Sequence, residues 1–521
     1  MIVRPTTALV TGYDFLIDQA NAISHTLAIS YGIPNQTRLI DDDWTAEEFR
    51  MRFFTTPQAH SLNSLNAHFQ HYRFFPNDPN DVYATDVDTF GASTNFSGTL
   101  IFTVGCHSAL NVPDGQSPTD ADWAQAFTRR GATFIGNTGY GYGDSDLVAY
   151  SERLMVNFVK QLGYWPDGQA PTVGQALLRA KQHYYNTAAA GAFSNYDEKV
   201  LEEMILYGLP MLRVSMPVTT TTPPDGPNLA AGVQVVSAPS QGARLAEPVS
   251  AQAVTSSVTL NLGYTLNSVG GLGDYYLITG EDDVQVAGGR PIQPRTSLDI
   301  HRADTIAHGV LLLGGTFSDT PDFDPVISRV ITDELYVETE PLYPALGWYP
   351  VVPGTLNRFL GIDGQSRERL VVTPGQFRAA GAVSPTVGTQ RLYSSLQYEI
   401  YHAPFTDTDF IAPSLWQVQA VVTGTTMTFD VRVTDDSGNV ARVVVLYRET
   451  TDNAWKMAEL NLDSATQTWR KSSESGLRGE IEFFAQAVDP SGNVALALDH
   501  GNAFSQVLTT ETRLYLPLVR K

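Results

Sequence analysis

The hydrophobic period of this chain changes once, and that change limits what it can fold into. Up to about residue 214, short apolar runs alternate with segments of helical period. Beyond the break PVTTTTPPDGPN (217–228), the helical period is gone and two-residue alternation takes over. The first pattern predicts strands separated by helices, hence a mostly parallel sheet covered on both faces. The second predicts antiparallel β modules joined by Gly, Pro and Asp turns. The reading is therefore multidomain: an α/β unit over 1–214, a Thr/Pro linker over 215–228, a β-rich module of unreadable role over 229–412, an immunoglobulin-like β-sandwich over 413–505 and a tail over 506–521.

In the first unit the candidate strands are TALVTG (7–12), TRLID (37–41), HSLNSLNAH (60–68), TLIFTVG (99–105) and ATFIGNTG (132–139). Helices fall between them. DWTAEEFRMRFF carries Thr45 and Glu48 in capping-box spacing, with Trp44 and Phe49 placed as a hydrophobic staple. TDADWAQAFTRR puts Trp123 and Phe127 one turn apart, and further helices are expected over 146–162 and 172–187. In the last unit the DDSGN turn after MTFDVRV and the DPSGN turn after IEFFAQAV repeat one hairpin design, and Trp455 and Trp469 are candidate core aromatics.

Charge and segment composition exclude several classes. Fifty-five acidic against 33 basic residues give a formal charge of −22, which repels phosphate backbones and anionic membrane surfaces. There is no run of about 18 apolar residues that could cross a membrane as a helix. The N-terminus MIVRPTTALVTGYDFLID has no basic n-region followed by an apolar h-region. That predicts either a cytosolic chain or one that starts inside a longer precursor, and the tandem β modules with their Thr/Pro linker favour a secreted or cell-surface protein. The closing TRLYLPLVRK reads as an edge strand or as a short sorting signal.

There is one cysteine, Cys106, so no disulfide can form within the chain. A lone cysteine is often a small buried hydrophobe. This one directly follows the apolar run TLIFTVG, and in an open α/β sheet ligands gather outside the carboxyl ends of the strands. Gly105 before it lets the chain turn sharply there. His68 ends a second apolar run, SLNSLNAH. A thiol nucleophile needs a partner that takes its proton, and imidazole suits this near neutral pH. His71, three residues on, is the rival base. His107 adjoins the thiol, but neighbours on an extended chain point to opposite sides. Asp42, Asp43 and Asp86 are candidates for a third, orienting residue, and no spacing rule selects one.

Other motifs fail. Ser108 is not the centre of a GxSxG elbow, no GxGxxG opens a helix, and one cysteine cannot make a zinc site of Cys pairs. The DDSGN and DPSGN turns offer calcium ligands, though most such turns are plain turns. No cofactor is required for thiol chemistry; structural calcium is the one metal the turns suggest.

LNAH, ending at His68, and LIFTVGC, ending at Cys106, resemble the catalytic domain of the gingipain-type cysteine peptidases, relatives of caspases, legumains and separases. WAQAFTRRGATFIGNTGYGYGDSDLVAYSERL and LYGLPMLRV are similar to the segments that follow the nucleophile in that family. The resemblance covers about two fifths of the chain. It implies a caspase-like fold for 1–214 and acyl transfer through a thioester on Cys106. His68 would protonate the leaving amine, and the backbone N–H groups of Cys106 and Phe69 would hold the oxyanion. Two positions depart from the family: Gly usually follows the histidine, where this chain has Phe69, and Ala often precedes the cysteine, where it has Gly105. The loop GNTGYGYGDSD would supply the P1 pocket through Tyr140, Tyr142, Asp144 or Asp146, and an acidic lining would favour Arg or Lys. The expected activity is cysteine endopeptidase on protein or peptide substrates. The alternatives are an inert peptidase-like adhesion or binding protein whose β modules carry the function, and a thiol enzyme of another class such as a transpeptidase.

Overall fold

A computed structural model describes residues 1–76, 79–113, 121–188, 193–222, 224, 233–238, 253–332, 347–360, 366–381, 387–474 and 476–508. Part of the linker (223 and 225–228) and most of the tail (509–521) lie outside them.

The first unit is built on one mixed six-stranded sheet. Its strands in the chain are β1 (Ala8–Gly12), β2 (Gln36–Ile40), β3 (Leu62–Ser64), β6 (Leu100–Phe102), β7 (Thr133–Asn137) and β9 (Met204–Tyr207). Two short strands, β4 (His68–Gln70) and β5 (Arg73–Phe75), form a separate antiparallel ribbon, and β8 is Gly143–Asp144. Across the sheet the order is β9-β7-β6-β3-β1-β2. All pairings are parallel except β9 with β7.

Successive side chains on a strand point to opposite faces, so a strand buried on both sides must be apolar throughout. In β1, Ala8 and Val10 join the core on one face and Leu9 the core on the other; in β6, Leu100 and Phe102 oppose Ile101. One face is covered by α1 (Ile17–His25), α4 (Tyr150–Leu162), α5 (Val173–Asn186) and α6 (Asn195–Glu203). The other face is covered by α2 (Ala46–Phe53) and α3 (Trp123–Arg129). Helix α2 starts where its sequence signals place it. Thr45 Oγ1 accepts from the Glu48 N–H at 3.2 Å, and the Trp44 ring packs on Phe49 at 6.2 Å.

Two boundaries differ from the sequence pattern. Helix α4 begins at Tyr150, not 146, because the Glu152 carboxylate caps the Ala149 N–H at 3.1 Å. The apolar run 60–68 stays in the sheet only over β3. Asn66 then leaves it, its N–H donating to Thr11 Oγ1 at 2.7 Å and its amide Nδ2 to the Thr11 carbonyl at 2.9 Å. Local side-chain bonds of this kind compete with a sheet ladder. His68 therefore opens the β4–β5 ribbon above the sheet.

Beyond residue 252 the described chain is all β. Strands Val254–Leu262, Gly388–Pro404 and Thr305–Phe323 pair antiparallel, and a second sheet holds Thr296–Asp299, Ser366–Val372 and Gly354–Leu360. The last unit has two sheets, one around Thr426–Thr434 and one around Arg442–Glu449 and Glu480–Val488. Met427, Phe429, Val445 and Phe483 fill the space between them. Trp469 packs against this core, whereas Trp455 packs against the core of the preceding module. That preceding module is not a separate bead: its Val284, Val286, Ile292 and Val326 belong to the same apolar cluster as Tyr150 and Tyr184 of the first unit.

The Phe69 ring lies in the core, stacked on Phe74 at 4.7 Å and edge-on to Trp123 at 5.8 Å. It also lies flat against Gly105, where an added Cβ would come within 2.5 Å of Phe69 Cγ. Gly105→Ala should cost about 1–3 kcal/mol of unfolding free energy by overpacking. In a Phe69→Ala background, which removes the ring but keeps the Cβ that lies 2.7 Å from the added methyl, that penalty should shrink. A double-mutant cycle by denaturant unfolding checks this; additive effects would mean the two residues do not share space.

Candidate active site

Cys106 sits in the turn that follows β6. The turn is held from both sides. His107 N–H donates to the Gly139 carbonyl at 2.6 Å, Ala109 N–H to the Asn137 carbonyl at 2.8 Å, and Asn137 Nδ2 to the Val104 carbonyl at 2.8 Å. Ser108 Oγ donates to the Gly105 carbonyl at 2.8 Å. His107 takes a left-handed φ of 55° that non-glycine residues adopt rarely. The sulfur receives the Gly141 N–H at 3.3 Å, a contact that favours the thiolate. Gly141 has no alternative here, because a Cβ would overlap the Val104 carbonyl.

His68 is buried, its ring stacked on Phe75 at 5.7 Å and edge-on to Tyr13 at 5.6 Å. Its Nε2 bonds to Asp14 Oδ2 at 3.1 Å. The bond to His68 holds the Asp14 carboxyl below its ordinary range. With Nε2–H donating to the carboxylate, the lone pair is on Nδ1, the other ring nitrogen. Asp14 is itself fixed, its N–H donating to Asp42 Oδ1 at 2.9 Å. Thus Asp42, one of three acids the sequence offered, touches the imidazole only through Asp14. Asp86 is committed elsewhere, paired with Arg50 at 2.8 Å, and Asp43 donates its N–H to Asp41. Asp14, which the sequence pattern does not single out, also follows a strand end, two residues beyond β1.

The remaining candidates separate. His71 lies in the β4–β5 turn; burial holds its imidazole below the ordinary histidine range, and its Nε2 has no hydrogen-bond partner among the described residues. His107 Nδ1 faces the Thr138 carbonyl at 3.3 Å, with the Tyr140 ring at 4.7 Å. Tyr140 is exposed beside it, whereas Tyr142 is buried and accepts from Lys199 Nζ at 3.0 Å. Asp146 accepts from Ser145 Oγ at 2.7 Å. Asp144 is buried, and its Oδ2 accepts from Ser328 Oγ at 2.6 Å and from the Arg329 N–H at 3.1 Å. Those two partners come from the β module. So does Thr332, whose Oγ1 lies 3.5 Å from the Cys106 sulfur, a neighbour that nothing in the local sequence signals.

Three acids crowd beneath this loop. Burial pushes Asp18 and Asp144 up to about 6, and holds Glu152 well above the usual carboxylate range. Away from the thiol, the oxygen donors of Asp409, Asp435 and Asp436 lie within 4.8 Å of one another, and Asp489 of the second SGN turn adjoins them. Hard oxygen donors of this kind suit calcium.

No family model and no curated protein matches this chain. Among solved structures, a complex of the pro- and mature domains of Porphyromonas gingivalis RgpB overlaps 32% of this chain and 89% of its own, at 20% identity and a TM-score of 0.23. A carbohydrate-binding module of family 56, a β-1,3-glucan binding domain, overlaps 18% and 99% at 16% identity and a TM-score of 0.14. An endonuclease/exonuclease/phosphatase from Beutenbergia cavernae overlaps 78% and 98% at 12% identity and 0.13. Superpositions this loose carry no argument about activity. No helix among the described residues is long and apolar enough to cross a membrane.

A carboxyl whose folded pKa is raised binds its proton more readily in the folded chain. The associated stability is present at low pH and is lost as pH rises through the folded value. With Asp18 and Asp144 at about 6, the α/β unit should melt at a higher temperature near about pH 5 than near about pH 7.5. Asp144→Asn should shrink that difference. Melting curves at the two pH values check it; an unchanged difference in the variant would assign the effect elsewhere.

Proposed function

We propose that the chain is a cysteine endopeptidase in which Cys106 attacks the scissile carbonyl and His68 moves the proton. The observation that carries this reading is the pairing of strand ends. Phe69, next to His68, packs on Gly105, next to Cys106, and the strands that precede them, β3 and β6, are adjacent and parallel, which supports an imidazole and a thiol working at the same rim. The strand order, with parallel β2, β1, β3, β6 and β7 and an antiparallel last strand, supports a caspase-like unit.

The residues divide the work as follows. The Gly141 N–H lowers the cost of a negative sulfur. Asp14 fixes the His68 ring and favours the tautomer with its lone pair on Nδ1. After attack, the protonated imidazole gives its proton to the leaving amine, and the neutral ring then activates water against the thioester. The backbone N–H groups of Cys106 and Phe69 are the proposed oxyanion donors. The Phe69 ring does not obstruct this role, since it is stacked in the core. Acyl transfer of this kind balances without a cofactor. Tyr140, beside His107, and Asp146 are the proposed substrate contacts, with Arg or Lys favoured at P1, and the site of action is outside the cell or at its surface.

Incubation with a peptidyl chloromethyl ketone bearing Arg or Lys, read by intact mass, should add one label, absent in Cys106→Ala. In peptide hydrolysis His68→Ala should lose about 10²–10⁴-fold in kcat, while His71→Ala stays near the parent. Asp14→Asn should lose less than His68→Ala, with kcat affected more than KM. Labelling by no peptidyl reagent would support the inert reading, and loss of activity only in His71→Ala would move the base to His71.

A further inference from the structure

The module that follows the linker reaches back into the site. Its strand β10 (Val330–Ile331) pairs antiparallel with β8, Asp144 opposite Val330 and Gly143 opposite Ile331. The next residue, Thr332, then comes over the turn at Gly141 and Cys106, with its hydroxyl 3.5 Å from the sulfur. Upstream, Ser328 anchors the segment from both sides. Its hydroxyl donates to Asp144 at 2.6 Å, its N–H donates to the Arg290 carbonyl at 2.9 Å, and its carbonyl accepts from the Gly289 N–H at 2.9 Å. Val326 and Ser328 are fully or almost fully buried, and Cys106 is only 3% exposed.

The direction of the segment matters as much as its position. A peptide presented to a thiol for acyl transfer must place the residue whose carbonyl is attacked at the sulfur, with the preceding residues running back along a binding edge. Addition of an extended strand to an exposed edge is a general mode of peptide recognition. Here the residues before Thr332 lie along β8, and the chain runs toward the sulfur. We propose that Ser328–Thr332 occupies the acyl-side substrate track as an internal pseudosubstrate that slows, without abolishing, the access of peptides and reagents to Cys106. Substrates then bind as extended peptides paired antiparallel with Gly143–Asp144, taking the places of Val330, Ile331 and Thr332. This rests on the peptidase reading for the word substrate, but the cover over Cys106 does not.

The full-length chain tests it with iodoacetamide, a reagent small enough to report access alone. Wild-type Cys106 should be alkylated slowly. Val330→Pro, which puts a proline ring into the strand paired with β8, should be alkylated at least about tenfold faster. Thr332→Cys, which leaves the ladder intact, should form a disulfide between the introduced thiol and Cys106 in oxidised glutathione, seen as the loss of two hydrogens and reversed by dithiothreitol. Wild-type alkylation as fast as in the urea-unfolded chain, or a Thr332→Cys variant that does not cross-link, overturns the proposal. Peptide hydrolysis separates the two readings. Fast alkylation of Val330→Pro without any hydrolysis keeps the cover and removes the peptidase. Hydrolysis by a wild-type chain whose thiol is already open removes the cover and keeps the peptidase.

Discussion

The rim of the parallel sheet depends on one aromatic ring packed against a backbone that has no Cβ. Phe69 sits on Gly105, and this contact ties the residue after the imidazole to the residue before the thiol. The ring is also stacked into the Phe74–Trp123 cluster, so the ribbon that carries His68 is anchored to the core on the α2–α3 face. In the proposed mechanism both reacting side chains hang from that anchorage. The Asp14–His68 bond has meaning only if the ring is held still, and the turn at Cys106 has meaning only if it faces the same space.

Much of this was legible in the sequence, for a physical reason. Strands buried on both faces must be continuous apolar runs, and those runs end where the backbone turns to the rim, which is why Cys106 and His68 could be singled out. In the sequence, Phe69 and Gly105 were legible only as two separate oddities. In space they are one exchange of volume: a large ring on one strand end is accommodated by the missing methyl on the other. Asp14 could have been found by applying the same strand-end rule to β1. Asp14 itself takes a left-handed φ of 55°, which no pattern of residue types announces.

What the sequence could not supply is contact between units. The 229–412 module carried no readable role as a run of alternating residues. Folded, it shares an apolar cluster with the α/β unit and lays Ser328 against Asp144 and Thr332 against Cys106. Separations of 184 and 226 residues leave no local signature of such contacts. The same loop shows how burial changes the meaning of acidic residues. Asp144 reads in sequence as an acid waiting for a basic side chain, yet it is desolvated and satisfied by a hydroxyl and a backbone N–H. The acids of this region are thereby coupled to each other and to pH, not simply displayed to solvent.

The claim beneath all of this is that an imidazole from β4 and the sulfur of Cys106 serve the same reacting atoms. A crystal structure of the chain with Cys106 capped by a peptidyl chloromethyl ketone tests it most directly. The account predicts the His68 ring facing the adduct through Nδ1, with Nε2 still on Asp14 and the inhibitor backbone lying along Gly143–Asp144. An adduct on Cys106 whose neighbouring imidazole is His71 or His107, with His68 turned into the core, would contradict it.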